Sequence, residues 1–260
     1  MTATYLFTPE GLAALTRHAA TDTLFAFDLD GTLAPIVADY SAAQLDEPVR
    51  TALGRLVKLA KVAVITGRSR KDALTILGLE PHLLVGNHGA EWPAREGARD
   101  RQQTGLCSKW RDRLSAMLGQ VQGVEIEFKG ESVSLHYRKA DDTEKALALI
   151  NVAIEKLEPG PKRIGGKFVV NLLPMEALTK GEALVAAMAS FGLKRAIFSG
   201  DDLTDEEVFK LKNDAVFGIH IGKDDQTAAP YYLNNQSELL GLLNAMVGIL
   251  ETERNVQDTA

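Results

Sequence analysis

Asp28 and Asp30 close an apolar run, Leu24-Phe25-Ala26-Phe27-Asp28-Leu29-Asp30, and Gly31-Thr32 follows at once. In an extended strand residues i and i+2 share a face, so two carboxylates meet at a strand end. Like charges that close repel and shift each other's pKa unless a cation joins them. The pattern asks for a metal, a nucleophile and a proton carrier in one place, which suits phosphoryl transfer. Asp28 would attack phosphorus. Asp30 would protonate the leaving oxygen, then take a proton from the water that resolves the aspartyl phosphate. The alternative is a turn with two solvated acids, against which DLDGT after a buried run is a restrictive motif.

Three further positions could join this pair. Thr66, in Val64-Ile65-Thr66-Gly67-Arg68-Ser69, carries a hydroxyl that can donate to a phosphate oxygen. Ser69 and Asp72 are spaced to cap the next helix, whose N-terminal amides would add to an anion site. Thr66 reads equally well as a strand end beside a turn glycine. Lys180 lies in Leu178-Thr179-Lys180-Gly181-Glu182. Thr179 and Glu182 have capping-box spacing, which puts Lys180 in a first helical turn, where the dipole disfavours a cation. That placement suggests an anion nearby; an exposed lysine tolerating a small cost is the alternative. Asp201 lies in Gly200-Asp201-Asp202-Leu203-Thr204-Asp205-Glu206 and suits Mg²⁺, which takes a few carboxylates plus water and substrate phosphate. Thr204 and Glu207 have the spacing of another capping box. Asp205 and Glu206 therefore read as helix-start acids or, for Asp205, as part of the metal's surroundings. Asp28, Asp201 and a phosphate monoester bring about four negative charges, which a divalent cation and Lys180 would nearly cancel.

Alternating strand and helix signals must position these residues. Leu24–Asp28, Val62–Thr66 and Leu83–Val85 read as strands, with helical spacing at 42–60 and 70–78 between them. That order implies a parallel sheet with helices on both sides, with ligands at the strands' carboxyl ends. Residues 124–129 and 132–138 instead alternate polar and apolar, as antiparallel strands with one dry face do. Two helix candidates, around Trp110–Leu118 and Ala146–Leu157, can cover that dry face, and a further strand is expected at Lys167–Leu173. The parallel pattern then resumes with a helix at Ala183–Phe191, strands at 196–201 and 216–221, and a closing helix from about Ser237 to Leu250. Glu251–Ala260 reads as a frayed polar tail. The expected fold is α/β: a doubly wound, Rossmann-like parallel-sheet core, residues 1–104 and 175–260. Into it is inserted a smaller α/β cap domain, residues 105–174, an antiparallel sheet with helices on one face.

Bulk properties narrow the function. The chain has 260 residues, 45% of them hydrophobic, and a net charge of −6, which argues against a nucleic-acid binder relying on phosphate contacts. No apolar run approaches a membrane span, and the N-terminus lacks signal-peptide regions. The single cysteine, Cys107, excludes an intrachain disulfide and reads as a packing residue. A monomer in a reducing cytoplasm is expected.

The four motifs in this order resemble the haloacid-dehalogenase-like phosphatase superfamily. FDLDGTLAPI, VITGRS, NHGAEW, EFKGESVSLHYR, LTKGEAL and SGDDLTDE together resemble its trehalose-6-phosphate phosphatase family. The resemblance implies a Mg²⁺-dependent hydrolysis of trehalose 6-phosphate, with Asp28 as nucleophile, Asp30 as acid and base, and Thr66 and Lys180 on the phosphate. It implies a metal held by Asp28, the Asp30 backbone carbonyl and Asp201, with Asp205 beside them. Arg68, Glu127, Lys129, Arg138 and Asn171 would contact substrate. Glu127 and Lys129 also fall on the polar strand face. His136 shares a polar face with Arg138 and fits a structural role better. Family members carry a glutamate where this chain has Asn171, which keeps open a related sugar phosphate or a glycosyl-phosphoglycerate as substrate. A non-catalytic phosphosugar sensor is the reading from a different class, and it would have no use for Asp30.

Overall fold

The computed structural model describes residues 3–37, 42–93, 98–166, 168–211 and 215–258. Seven parallel strands form the larger sheet in the order β1-β11-β10-β9-β2-β3-β4. They are β1 (Thr4–Tyr5), β2 (Thr23–Phe27), β3 (Lys61–Ile65), β4 (Leu83–Val85), β9 (Arg195–Gly200), β10 (Val216–Ile221) and β11 (Tyr231–Leu233). Strand β2 sends Phe25 and Phe27 into one apolar layer and Leu24 and Ala26 into the other, as period-two alternation in a sheet covered on both faces requires. The first layer holds α1 (Pro9–His18), α2 (Glu47–Leu59), α3 (Arg70–Leu77) and α8 (Leu239–Asp258); the second holds α6 (Lys180–Phe191) and α7 (Glu206–Phe209). The chain runs β2-β3-β4 outward on one side and returns to β9 on the other. The crevice between the carboxyl ends of β2 and β9 is thus the topological switch point, where α/β sheets bind ligands.

The second sheet is antiparallel, in the order β5-β6-β8-β7, from β5 (Glu125–Phe128), β6 (Val133–His136), β7 (Lys162–Gly166) and β8 (Val169–Leu173). Helices α4 (Ala98–Leu118) and α5 (Thr143–Glu155) bury its dry face with Trp110, Leu114, Ile150, Ile154, Val133, Leu135 and Leu172. The opposite face is turned toward the larger sheet. It carries Glu127, Ser134 and Asn171 in one register row and a small apolar contact of Ala90, Ile164, Leu173 and Ala177.

Four expectations need correction. Helix α4 starts at Ala98 rather than near Trp110, because Gln103 continues the buried stripe through Cys107 and Trp110 although it is polar. The strand expected at Lys167–Leu173 begins at Val169; Lys167 lies outside the described residues, and a separate strand β7 precedes it. The tail after Leu250 is helical to Asp258, held by Arg55 on Glu251 (2.8 Å) and by the Thr21 amide on Glu253 (3.2 Å). The Thr204–Glu207 capping box is not formed, as its surroundings explain below.

Candidate active site

Asp28 follows β2 and Asp201 follows β9, the neighbouring strand. Gly31, with φ 83°, returns the chain beneath Asp201 so closely that a Cβ there would lie 2.1 Å from Asp201 Oδ2. Only glycine combines that backbone with that clearance. Thr32 Oγ1 donates to Asp201 Oδ1 at 3.1 Å. From the other side comes Lys180, at the start of α6 behind the capping box of Thr179 and Glu182. Its side chain is 2% exposed, and Nζ lies 3.0 Å from Asp28 Oδ1 and 2.7 Å from Asp205 Oδ1. The anion that its first-turn position suggested is this carboxylate pair. Asp205 is fully buried. Its second oxygen accepts the backbone amides of Asp201 and Asp202, both at 3.0 Å. Asp205 therefore orders the 200–202 turn and holds Lys180. This also displaces the helix start: α7 begins at Glu206, the Thr204 hydroxyl is buried without a partner, and Glu207 accepts the Lys180 amide instead.

The electrostatics are those of an anionic hollow. Burial pushes the Asp28 carboxyl well above the ordinary carboxylate range; Lys180 pulls it down, and Asp205 and Asp201 add to the rise. Burial, then the Asp205 charge, raises Asp201 to about 7. Burial disfavours the Lys180 ammonium, but Asp205 and Asp28 outweigh it and raise its pKa. Oxygens of Asp28, Asp201 and Asp205 lie within 4.8 Å of one another. Two buried carboxylates and the half-buried Asp201 gather around a single ammonium, which is paired with Asp28 and Asp205, and all their donor atoms are oxygens. The set fits a hard divalent cation. Asp28 and Asp201 are the better-placed ligands, since both oxygens of Asp205 already have partners.

Thr66 follows β3 directly and is 1% exposed. Its Oγ1 accepts the Arg68 amide at 3.2 Å. Ser69 caps α3, as its spacing with Asp72 suggests. Arg68, expected on substrate, grips Asp30 through both oxygens, Nε to Oδ2 at 2.7 Å and Nη2 to Oδ1 at 2.6 Å. Above this loop stands the polar face of the second sheet. Lys129 Nζ lies 3.3 Å from the Gly67 carbonyl and 3.4 Å from Glu127 Oε2. His136 Nε2 lies 2.9 Å from the same Glu127 oxygen. Burial would raise the Glu127 pKa, but the His136 hydrogen bond and the Lys129 charge bring it below its ordinary value. Asn171 is 5% exposed, and its Oδ1 accepts Ser134 Oγ at 2.7 Å. Arg138 is exposed, and its guanidinium carbon lies 5.9 Å from the Phe168 ring centre.

Two residues of the NHGAEW segment had no role assigned from the sequence. Asn87 and His88 follow β4 with φ of 50° and 56°. The His88 ring lies on Gly67, where a Cβ would be 2.4 Å from its Cε1. Burial, then Lys180 and Lys129, depress its pKa well below the usual value. The available signal was an Asn-His-Gly turn after an apolar run, since Asn and His are enriched among non-glycine residues at positive φ.

A family model for trehalose-phosphatase matches residues 26–237. The chain belongs to the trehalose-phosphatase family. Among this family, trehalose-6-phosphate phosphatase of Escherichia coli (strain K12) is 33% identical over 193 residues, 72% of each chain. Probable trehalose-phosphate phosphatase 4 of Oryza sativa subsp. japonica is 29% identical over 240 residues, 85% of this chain and 64% of the rice protein. The chain thus spans less than two thirds of that relative. The C. albicans trehalose-6-phosphate phosphatase C-terminal domain shares the fold, with a TM-score of 0.72 at 21% identity over 96% of this chain and 99% of that one. No helix of this family member is long and apolar enough to cross a membrane among the described residues.

Proposed function

We propose that the protein is a Mg²⁺-dependent phosphatase that hydrolyses trehalose 6-phosphate to trehalose and inorganic phosphate through an aspartyl phosphate on Asp28. The observation that carries this reading is Lys180, buried between Asp28 and Asp205 beside Asp201. The catalytic core would comprise residues 1–104 and 175–260 and the cap residues 105–174. The enzyme would act as a cytoplasmic monomer on a phosphosugar.

In the first half-reaction an Asp28 oxygen bonds to phosphorus, the phosphorus–sugar oxygen bond breaks, and Asp30 gives its proton to the leaving oxygen. In the second, Asp30 takes a proton from water, the water oxygen bonds to phosphorus, and Asp28 is released. Arg68 holds both Asp30 oxygens in this structure, which fixes the carboxyl's orientation and leaves a second lone pair on each oxygen for the proton. Thr66 and Lys180 would hold the phosphate oxygens. Mg²⁺ on Asp28, the Asp30 carbonyl and Asp201, with Asp205 behind, would supply charge neutralisation and orientation of the phosphate. Glu127 and Lys129 would meet the sugar hydroxyls.

Phosphate release from a panel of sugar phosphates with added Mg²⁺ tests the reading. Trehalose 6-phosphate should have the highest kcat/KM, and excess chelator should abolish turnover. Equal turnover across the panel would remove the trehalose assignment; turnover in excess chelator would remove the cation. A second reading keeps the chemistry and changes the substrate to another sugar phosphate or a glycosyl-phosphoglycerate. Asn171 favours it, being neutral and already engaged by Ser134.

A further inference from the structure

The left-handed turn after β4 is fixed from two sides. The Asn87 amide donates to Arg68 O at 2.8 Å and the His88 amide to Thr66 O at 2.9 Å. Gly89, with φ 115°, packs so tightly on α6's approach that a Cβ would lie 2.4 Å from Leu178 O. Two successive non-glycine residues at positive φ are uphill and persist only where surrounding contacts over-determine them. From this rigid base the fully buried Asn87 side chain reaches into the turn joining β5 to β6. Its Nδ2 donates to Lys129 O at 3.3 Å, and its Oδ1 accepts Ser132 Oγ at 3.0 Å. Nδ2 also donates to Glu91 Oε2 at 3.2 Å, which sets which end of the amide faces which partner. The gripped turn is closed by Lys129 N on Ser132 O at 3.0 Å, and it carries the Lys129 ammonium that stands over Gly67.

The apolar contact beside it is small, four residues of which two are alanines. Hydrogen bonds given up when the junction opens are re-formed with water, so this junction is suited to opening and closing while still holding the turn in place when shut. We propose that Asn87 is the core's latch on the cap: a positioning residue that sets Lys129, and Glu127 beside it, over the phosphate loop and so determines selectivity for the sugar half of the substrate. The sugar half rests on the function proposed above.

The test compares Asn87→Ala and Ser132→Ala with wild type on the best-turned-over sugar phosphate and on p-nitrophenyl phosphate, which has no sugar. Each variant should raise KM for the sugar phosphate about ten-fold, the loss of one or two buried hydrogen bonds. Turnover of the aryl phosphate should stay within about two-fold, and the double variant should be no worse than Asn87→Ala, because the two residues share one bond. Equal losses on both substrates, or an unchanged sugar KM, would overturn the latch. If Asn87→Ala fails to fold, Ser132→Ala carries the comparison. Hydrogen exchange gives an arm independent of activity: the Lys129 amide should exchange faster in Ser132→Ala, and unchanged protection would also overturn the proposal. A wild type without activity on any sugar phosphate would defeat the function while leaving the exchange result to decide the latch.

Discussion

Lys180 shows how much one residue's place in a sequence can reveal of its surroundings. A cation placed against a helix dipole was legible as a sign of nearby anions, and two carboxylates lie within 3.0 Å of its Nζ. Asp28, Asp30 and Asp201 were legible for the same reason, since acids closing buried strands have few structural uses. The Arg68–Asp30 pair was not, because the partner of a long flexible side chain depends on tertiary placement. Removing Lys180 would strand Asp28 and Asp205, and breaking a buried pair from one side costs about 3–5 kcal/mol. Lys180→Met should therefore shift the urea midpoint strongly; a change under about 1 kcal/mol would show that the ammonium does not hold the site. Cys107 makes the opposite case of a residue rightly read as packing. Burial raises its thiol from 9.0 to about 12. The folded state keeps a proton that the unfolded chain loses, so the group's contribution to stability falls only between pH 9 and about 12. Iodoacetamide at pH 8.5 should label Cys107 in urea and leave the native protein unlabelled.

At the scale of elements, caps and periods were legible where local chemistry decides the structure. The Thr179–Glu182 box forms as its spacing indicates, because both hydrogen bonds lie within one helical turn. Thr204 and Glu207 have the same spacing and form no box, because Asp205 is recruited by Lys180 and the amides of Asp201 and Asp202. Tertiary charge overrides a local signal worth about 1 kcal/mol. The start of α4 and the end of α8 were missed for a related reason: Gln103, Glu251 and Glu253 are polar residues that find partners or cover. Helix α6 matters most, since its start places Lys180. Thr179→Ala should cost about 1 kcal/mol, and Thr179→Ser should restore most of it. Thermal unfolding of the two variants measures this, and equal loss in both would mean that the hydroxyl does not cap.

For the molecule as a whole, the sequence indicated two kinds of sheet from two kinds of pattern: continuous apolar runs and strict alternation. It did not indicate β1, a two-residue strand paired with β11, because so short a segment has no period. The uncovered polar face of the second sheet did point to a cap turned toward the crevice, but not to the particular contact that seats it, Lys129 on the Gly67 carbonyl, which depends on long-range packing. The assembled crevice leaves carboxylates in excess, with burial and Asp205 raising Asp201 to about 7. A bound divalent cation would relieve that repulsion in the folded state alone, since the ligands are dispersed along the unfolded chain. Binding to the native state at a hundred times Kd stabilises by about 2.7 kcal/mol. For a chain of this size each kcal/mol moves Tm by roughly 2–4 °C. Saturating Mg²⁺ should thus raise Tm by about 5–10 °C over protein in chelator. Asp201→Asn should lose most of that increment while unfolding cooperatively in chelator. A wild-type Tm indifferent to Mg²⁺ would mean that the carboxylates are balanced by Lys180 and protons alone.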